Sequence, residues 1–374
     1  MRVGILSWII DMERAGIGNF TYNLIRCMLD MGKGDELHLI HYEHSDDEVY
    51  SMAHDVLVPR LPSLMKFAVG LPYAVMKSGI DVLHVPSHWY NQLTPFLLNR
   101  TKKVLTIHDL VPILLPETHT GITVMTWAPT LRLIAHRIDM IATDSHATKL
   151  DCMRHLGIPE ERIRVVYCGV DPKYRPLEDR EAILKDLEER YGIKKPFVLY
   201  VGTLEKRKNI PTLLRALYRL KKSGVCPLLV IAGRRGWKYD DIFDTIHELK
   251  LEHDVLFTGY VPEDDLVALY NAADLFVYPS LYEGFGLPPL EAMACGCPVI
   301  TSNTSSLPEV VGDAGIMVDP HDVNALADAM ERVLTDESLR EDMRRRGLER
   351  AKRFSWQRSA REMWDIYEEV YHEG

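Results

Sequence analysis

Short apolar runs, each too brief for a helix, recur from one end of the chain to the other, with helix-period stretches between them. In the first half they are Val3–Leu6, Leu37–Ile40, Asp81–Val85, Lys103–Ile107 and Met140–Thr143. In the second half they are Pro196–Gly202, Leu228–Gly233, Val255–Val261, Leu275–Tyr278 and Val299–Ser302. Continuous apolar runs of this length read as strands buried on both faces. Strands alternating with helices imply βαβ units and open, doubly wound parallel sheets. Ligands on such sheets sit beyond the carboxyl ends of the strands. The residues that follow each run are therefore the ones to read for function.

A length of 374 residues exceeds what one hydrophobic core usually serves, so two domains are expected. Pro172 and Pro176, followed by the charged run Glu178–Arg190, mark the junction, which gives domains at 1–175 and 176–354. The balance of 44 basic against 54 acidic side chains, a net charge of −10, argues against nucleic acid as a partner. The six cysteines include one close pair, Cys295 and Cys297, with no neighbouring His or Cys to complete a zinc set, so buried thiols in a reducing cytosol are expected. His84 and His88 lie on a strand end and loop and give no metal site. No apolar run approaches the roughly 18 residues of a membrane span. The opening MRVGILSWII meets Asp11 and Glu13 at once and reads as a strand, not a signal peptide.

The most informative stretch is Pro279 to Pro298, PSLYEGFGLPPLEAMACGCP. After a strand it places Glu283-Gly284-Phe285-Gly286, two prolines and a short apolar helix pattern that stops at Gly296. Glycine lets the backbone turn tightly and approach a ligand, and the amides entering the helix near Leu287 form a seat for phosphate. Glu283 and Glu291 bracket that seat. Carboxylates repel a diphosphate, so they should reach past it to hydroxyl groups on either side, as a nucleotide-sugar requires. Upstream, Arg207 and Lys208 follow the Pro196–Gly202 strand, where they could neutralise a diphosphate.

This arrangement resembles the E-x(7)-E signature of retaining nucleotide-sugar glycosyltransferases of family 4, and the resemblance runs through nearly the whole chain. It implies the GT-B fold: two Rossmann-like, doubly wound α/β domains facing a cleft, with the closing helix, 355–374, sent back to the N-terminal, acceptor-side domain. It further implies that Glu291 holds the donor ribose and that Glu283, with the amides of Gly284, Phe285 and Gly286, holds the sugar. Arg207, Lys208, Gly202, Thr203 and Leu287 would then face the diphosphate. Arg234, Tyr260 and Val261 line the base pocket, and Gly16 and Gly18, in a loop running to Thr21, lie against the donor. His108, at the tip of the Lys103–Ile107 strand, would face the reacting centre, with Asp109 orienting its ring. Ser145 reads as a helix cap or, secondarily, an acceptor contact, with Asp144 sharing the capping role. Asp46-Asp47, Asp240-Asp241 and Asp264-Asp265 are not metal-binding D-x-D motifs, so neither a metal nor another cofactor is expected.

The resemblance points to a cytoplasmic hexosyltransferase. Gly202–Asn209 (GTLEKRKN) and Ile107–Pro112 (IHDLVP) look most like the mannosyltransferase branch, with GDP-mannose as donor and a glycan or lipid-linked acceptor in polysaccharide or glycolipid synthesis. A UDP-sugar donor, or a catalytically silent sugar-nucleotide binder, is the alternative. A nicotinamide dehydrogenase using the Gly16–Thr21 loop would leave Glu283 and Glu291 unexplained. Leu61–Met76, with Met65, Phe67 and Tyr73 among Lys66 and Lys77, reads either as a core-packing helix or as a surface for peripheral docking at the inner face of a membrane.

Overall fold

A computed structural model describes residues 1–12, 16–62, 65–87, 100–118, 121–135, 137–194, 196–236 and 238–373, without the side chains of 121–124 and 126–128. His88 and Ala15 lie outside the described residues. The chain divides into two compact units, one of residues 1–169 with 355 onward, the other of 170–354.

The first unit holds a seven-stranded parallel sheet, β1 (Val3–Leu6), β2 (Leu37–His41), β3 (His54–Leu57), β4 (Val82–Val85), β5 (Lys102–Ile107), β6 (Met140–Thr143) and β7 (Ile163–Val165), in the order β3-β2-β1-β4-β5-β6-β7. The second holds six parallel strands, β8 (Phe197–Val201), β9 (Leu228–Ala232), β10 (Val255–Gly259), β11 (Leu275–Tyr278), β12 (Val299–Ser302) and β13 (Ile316–Val318), in the order β10-β9-β8-β11-β12-β13. Every strand read from the apolar runs is present. β3 and β13 were not anticipated: β3 is an edge strand whose first two residues, His54 and Asp55, are exposed, and β13 is a three-residue strand at the edge of its sheet, so no apolar run announces either.

In each sheet the strand order reverses once, between β1 and β4 in the first unit and between β8 and β11 in the second. At such a point two loops leave the sheet in opposite directions and open a crevice at the carboxyl edge. In the second unit those loops are Gly202–Asn209 and Pro279–Gly286, the two segments whose chemistry stands out in the sequence. The closing helix, Trp356–His372, packs in the first unit: Trp356 meets Phe20 edge-on, and the Tyr367 hydroxyl bonds His84 Nδ1 at 2.7 Å. Burial lowers the His84 imidazole to about 3, and Thr106 holds its other nitrogen, so this histidine is a neutral core residue.

One expected loop is a helix. Gly16 and Gly18 lie in the first turn of Gly16–Asp30, not in a loop running to Thr21. The glycines disfavour helix locally, but Phe20, Thr21, Leu24 and Met28 gain burial on one face, and that packing wins.

Candidate active site

The site in the second unit is built by two loops at the β8/β11 reversal. After β8 the chain makes a single 3-10 turn, Lys206–Lys208, closed by the Lys208 amide donating to the Glu205 carbonyl at 3.0 Å. Asn209 ends the turn at φ +57° and donates to the carbonyls of Pro279 and Pro320, at 3.1 and 2.7 Å. The Leu281 amide donates to the Arg207 carbonyl at 2.8 Å, so the two loops are laced together by backbone. After β11, the Glu283 amide donates to Ser305 Oγ, and Ser306 Oγ donates to the carbonyls of Glu283 and Phe285. Gly286 sits at φ +114°, where any Cβ would be strained and would meet Leu307 at 2.8 Å. The turn therefore demands glycine, and from it the helix Leu287–Ala294 starts with no side-chain cap.

Four charges meet there. Lys208 Nζ lies 2.7 Å from Glu283 Oε1 and donates to the Tyr278 hydroxyl at 2.6 Å. Arg207 Nη1 lies 2.8 Å from Glu283 Oε2, while its Nε lies 2.8 Å from Glu205 Oε1. Lys208, Glu205 and Glu283 are buried, at 5, 4 and 7% exposure. Burial alone would raise the Glu283 carboxyl, but Arg207 and Lys208 outweigh it and hold it at about 2. Burial and the neighbouring Arg207 lower the Lys208 ammonium, against the pull of Glu283 and Glu205. Glu205 was not singled out by the sequence reading. A lone acid ahead of three cations looks like part of a solvated charge run, and only its burial distinguishes it.

Glu291, one turn into the same helix, is not part of this ion cluster. It accepts from the Tyr270 hydroxyl at 2.9 Å, with Lys173, Glu263 and Tyr174 also in its field. Burial pushes its carboxyl up to about 7, and Tyr270 and Lys173 only partly offset that. The two acids of the E-x(7)-E spacing are thus driven in opposite directions by their surroundings.

The remaining residues divide. Gly202 and Gly233 sit at the tips of β8 and β9 so closely that a Cβ on Gly233 would lie 2.0 Å from the Gly202 carbonyl oxygen, and Thr203 is exposed beside them. Arg234, also exposed, stacks over the Tyr260 ring at 4.3 Å. Val261 is buried, so a ligand beside it would meet its backbone. Phe285 likewise packs edge-on against Phe354, leaving only its backbone to face a ligand.

In the first unit three expectations change. His108 is not open at its strand tip: it is 8% exposed, its Nδ1 donates to Asp144 Oδ2 at 2.6 Å and its Nε2 to the Pro86 carbonyl at 2.7 Å. Two acceptors on two ring nitrogens require the imidazolium; burial opposes that form, but Asp144 and the Pro86 carbonyl overcome it and raise the imidazole. Asp109 does not orient the ring. It accepts from the Val111 amide instead, because β5 and β6 pair Ile107 with Thr143 and so set residue 144, not 109, beside His108. Ser145 caps the helix His146–Asp151 through Thr148 and is wholly buried, which removes it as an acceptor contact. Among the described residues no cluster of three or more His, Cys, Asp or Glu side chains is disposed to hold a metal ion, and no helix is long and apolar enough to cross a membrane.

Two parallel, Rossmann-like units, with a cation-bearing loop at the strand reversal of the second, give the architecture of the GT-B fold. Among solved structures the chain is similar to sucrose-phosphate synthase from Thermosynechococcus elongatus (TM-score 0.82, 23% identity, 100% of both chains). It is also similar to HepE from Anabaena in complex with UDP-glucose (TM-score 0.75, 19% identity, 99% of this chain and 100% of that one). Residues 185–350 match the family described as glycosyl transferases group 1, and residues 14–174 match glycosyltransferase family 4. The chain belongs to this glycosyltransferase family. It is 38% identical over 373 residues to O-antigen chain mannosyltransferase B of Escherichia coli, covering 96% of this chain and 97% of the relative.

Proposed function

We propose that this protein is a retaining hexosyltransferase that moves mannose from GDP-mannose to a hydroxyl of a growing polysaccharide or lipid-linked glycan, without a divalent metal or other cofactor. The observation that carries the reading is the meeting of Arg207, Lys208 and Glu283 at the strand reversal of the second unit. A diphosphate brought to the two cations satisfies them, and Glu283 is then free to accept from the sugar hydroxyls. In the reaction the bond from the anomeric carbon to the diphosphate oxygen breaks. Charge grows on that oxygen, where Arg207, Lys208 and the Leu287 helix end oppose it. The acceptor oxygen bonds the same carbon on the same face, and its proton passes to the departing phosphate. Glu291 holds the ribose, and Arg234 with Tyr260 flanks the base.

Mannose as the moved sugar is supported by the 38% identity to a mannosyltransferase along the full chain. A UDP-sugar is the alternative donor, favoured by the UDP-glucose complex of the structurally similar HepE. Thermal shifts with GDP, UDP and ADP rank the two: a ligand at 100 times its Kd adds about 2.7 kcal/mol, so GDP is expected to raise the melting temperature by several degrees and UDP by less. The reverse order removes GDP-mannose. The anomeric configuration of the product, read by NMR, decides retention.

A cytoplasmic enzyme working at the inner face of a membrane is part of the same reading. In the helical stretch made of Lys66–Gly70 and Leu71–Lys77, the side chains of Leu71, Ala74 and Val75 face the core. Val69, Tyr73 and Met76, with Met65 just before it, stay about half exposed at spacings of four, four and three, a single helix face. Between Asp55 and Asp81 there is no acidic residue, while Arg60, Lys66 and Lys77 are basic, in a chain of net charge −10. An apolar face bordered by cations fits an anionic bilayer surface. The variant carrying Met65→Ser, Val69→Ser, Tyr73→Ser and Met76→Ser is expected to lose sedimentation with phosphatidylglycerol vesicles while keeping turnover on a water-soluble acceptor. Equal sedimentation of variant and parent removes this surface.

A further inference from the structure

We propose that Glu205 is the standing counter-charge of the phosphate clamp, a positioning residue that acts through Arg207 and sets how readily the nucleoside diphosphate product leaves. The proposal rests on the donor-site reading above. Two cations, Arg207 and Lys208, are matched by two carboxylates, Glu205 and Glu283, all joined at 2.7–2.8 Å, so the cluster is neutral as built. The two acids are not equivalent. Glu283 lies in the loop after β11, beside the glycine turn and the helix end, and bonds both cations; once a diphosphate takes its place it can serve the sugar. Glu205 lies on the other loop, 4% exposed, and bonds Nε of Arg207, leaving the guanidinium's outer edge directed to Glu283 and the Tyr282 carbonyl. It has no such second task in the transfer, so its charge stays beside Arg207 through the whole cycle.

A clamp of two uncompensated cations, closed off from water, would grip a diphosphate more tightly after transfer than before, because the departing group carries more negative charge than the donor. Glu205 tempers that grip by one charge at hydrogen-bond distance from the guanidinium. Its removal should therefore tighten product binding and slow release, an effect on kcat that a merely structural contact would not produce with this sign.

The test compares Glu205→Gln, which keeps an acceptor for Nε but loses the charge, with Glu205→Asp, which keeps the charge. Kd for GDP, UDP and inorganic pyrophosphate is measured by calorimetry over a range of salt, alongside kcat and KM. Expected are a Kd for the diphosphates lowered about ten-fold or more in Glu205→Gln, with a steeper loss of affinity as salt rises. Both kcat and donor KM should fall, and product inhibition should strengthen. Glu205→Asp should lie near the parent. The neutral Glu205→Met gives the same comparison if the Gln variant does not fold. Diphosphate binding unchanged or weaker in the neutral variants overturns this role for Glu205 and leaves the donor site standing. A parent protein that binds none of the three probes overturns the donor-site reading, and this inference with it.

Discussion

Replacing Lys208 by alanine is expected to lower kcat by about 10²-fold or more, with a smaller change in KM for the donor. The asymmetry follows from where the charge develops. In the bound donor the phosphate oxygen next to the sugar is an ester oxygen; only as the bond to the anomeric carbon breaks does it acquire a full negative charge, and a buried ammonium is worth most at that moment. Lys208 is suited to this because it is held by Tyr278 and Glu283 and lowered by burial and by Arg207, so an added anion stabilises it strongly. The same variant leaves Glu283 buried with one cation in place of two, and removing one partner of a buried pair typically costs about 3–5 kcal/mol. Stability must therefore be followed with activity. The Glu283 carboxyl is held at about 2 against an ordinary value of 4.5, so the stability it contributes is whole above 4.5 and is lost as pH falls towards 2. The melting curves of parent and Lys208→Ala should accordingly differ most near neutral pH and converge in acid. Glu283→Ala should lose kcat to a similar degree. If both variants, still folded at the assay temperature, turn over at the parent's rate, Lys208 and Glu283 do not form the site.

The parts of this molecule that sequence makes legible are those in which local pattern and burial coincide. Parallel strands covered on both faces must be apolar throughout, so β1, β6, β11 and β12 can be read residue by residue. The edge strand β3 could not, because only its second half is covered. Motif spacing singled out Glu283, Glu291, Arg207 and Lys208, and the structure adds what spacing cannot carry: which acid faces which cation. His108 shows the same limit. Its neighbour in sequence, Asp109, turns to the chain ahead, while the strand register brings Asp144 from 36 residues away to its ring nitrogen. Val261 and Phe285 turn their side chains inward, since a loop at a sheet edge has to be anchored to the core behind it. Glu205 went unread for the opposite reason, being a charged residue in a charged run whose burial only the fold reveals.

Glu291→Gln should make the protein more stable and a worse enzyme. Burial pushes the Glu291 carboxyl from 4.5 to about 7, so the folded state binds its proton more tightly than the unfolded chain does. Between those two values the unfolded state has already released the proton that the folded state retains, and stability declines as pH rises through the interval. Above 7 the folded protein carries the full cost of a poorly solvated carboxylate, up to about 3 kcal/mol at 1.36 kcal/mol for each pH step. Glutamine is nearly the same shape and can still accept from the Tyr270 hydroxyl, so it avoids that cost. The melting temperature of Glu291→Gln is therefore expected to exceed the parent's by several degrees at pH 8 and to match it at pH 4. Donor binding should move the other way. A carboxylate accepts more strongly than an amide from the two hydroxyls of a ribose, by about 1–2 kcal/mol, so donor KM should rise roughly ten-fold at pH 8. In the parent, KM should fall as pH rises through 7 and the group ionises; in Glu291→Gln it should be flat. Guanidinium melts and donor titrations at pH 4, 6 and 8 read both effects together. A variant less stable than the parent at pH 8 would mean that Glu291 is held by its neighbours as a structural anion; a KM that keeps its pH dependence without Glu291 would assign the ribose to another group. The fold would keep so costly an acid only where a ligand's hydroxyls repay its ionisation.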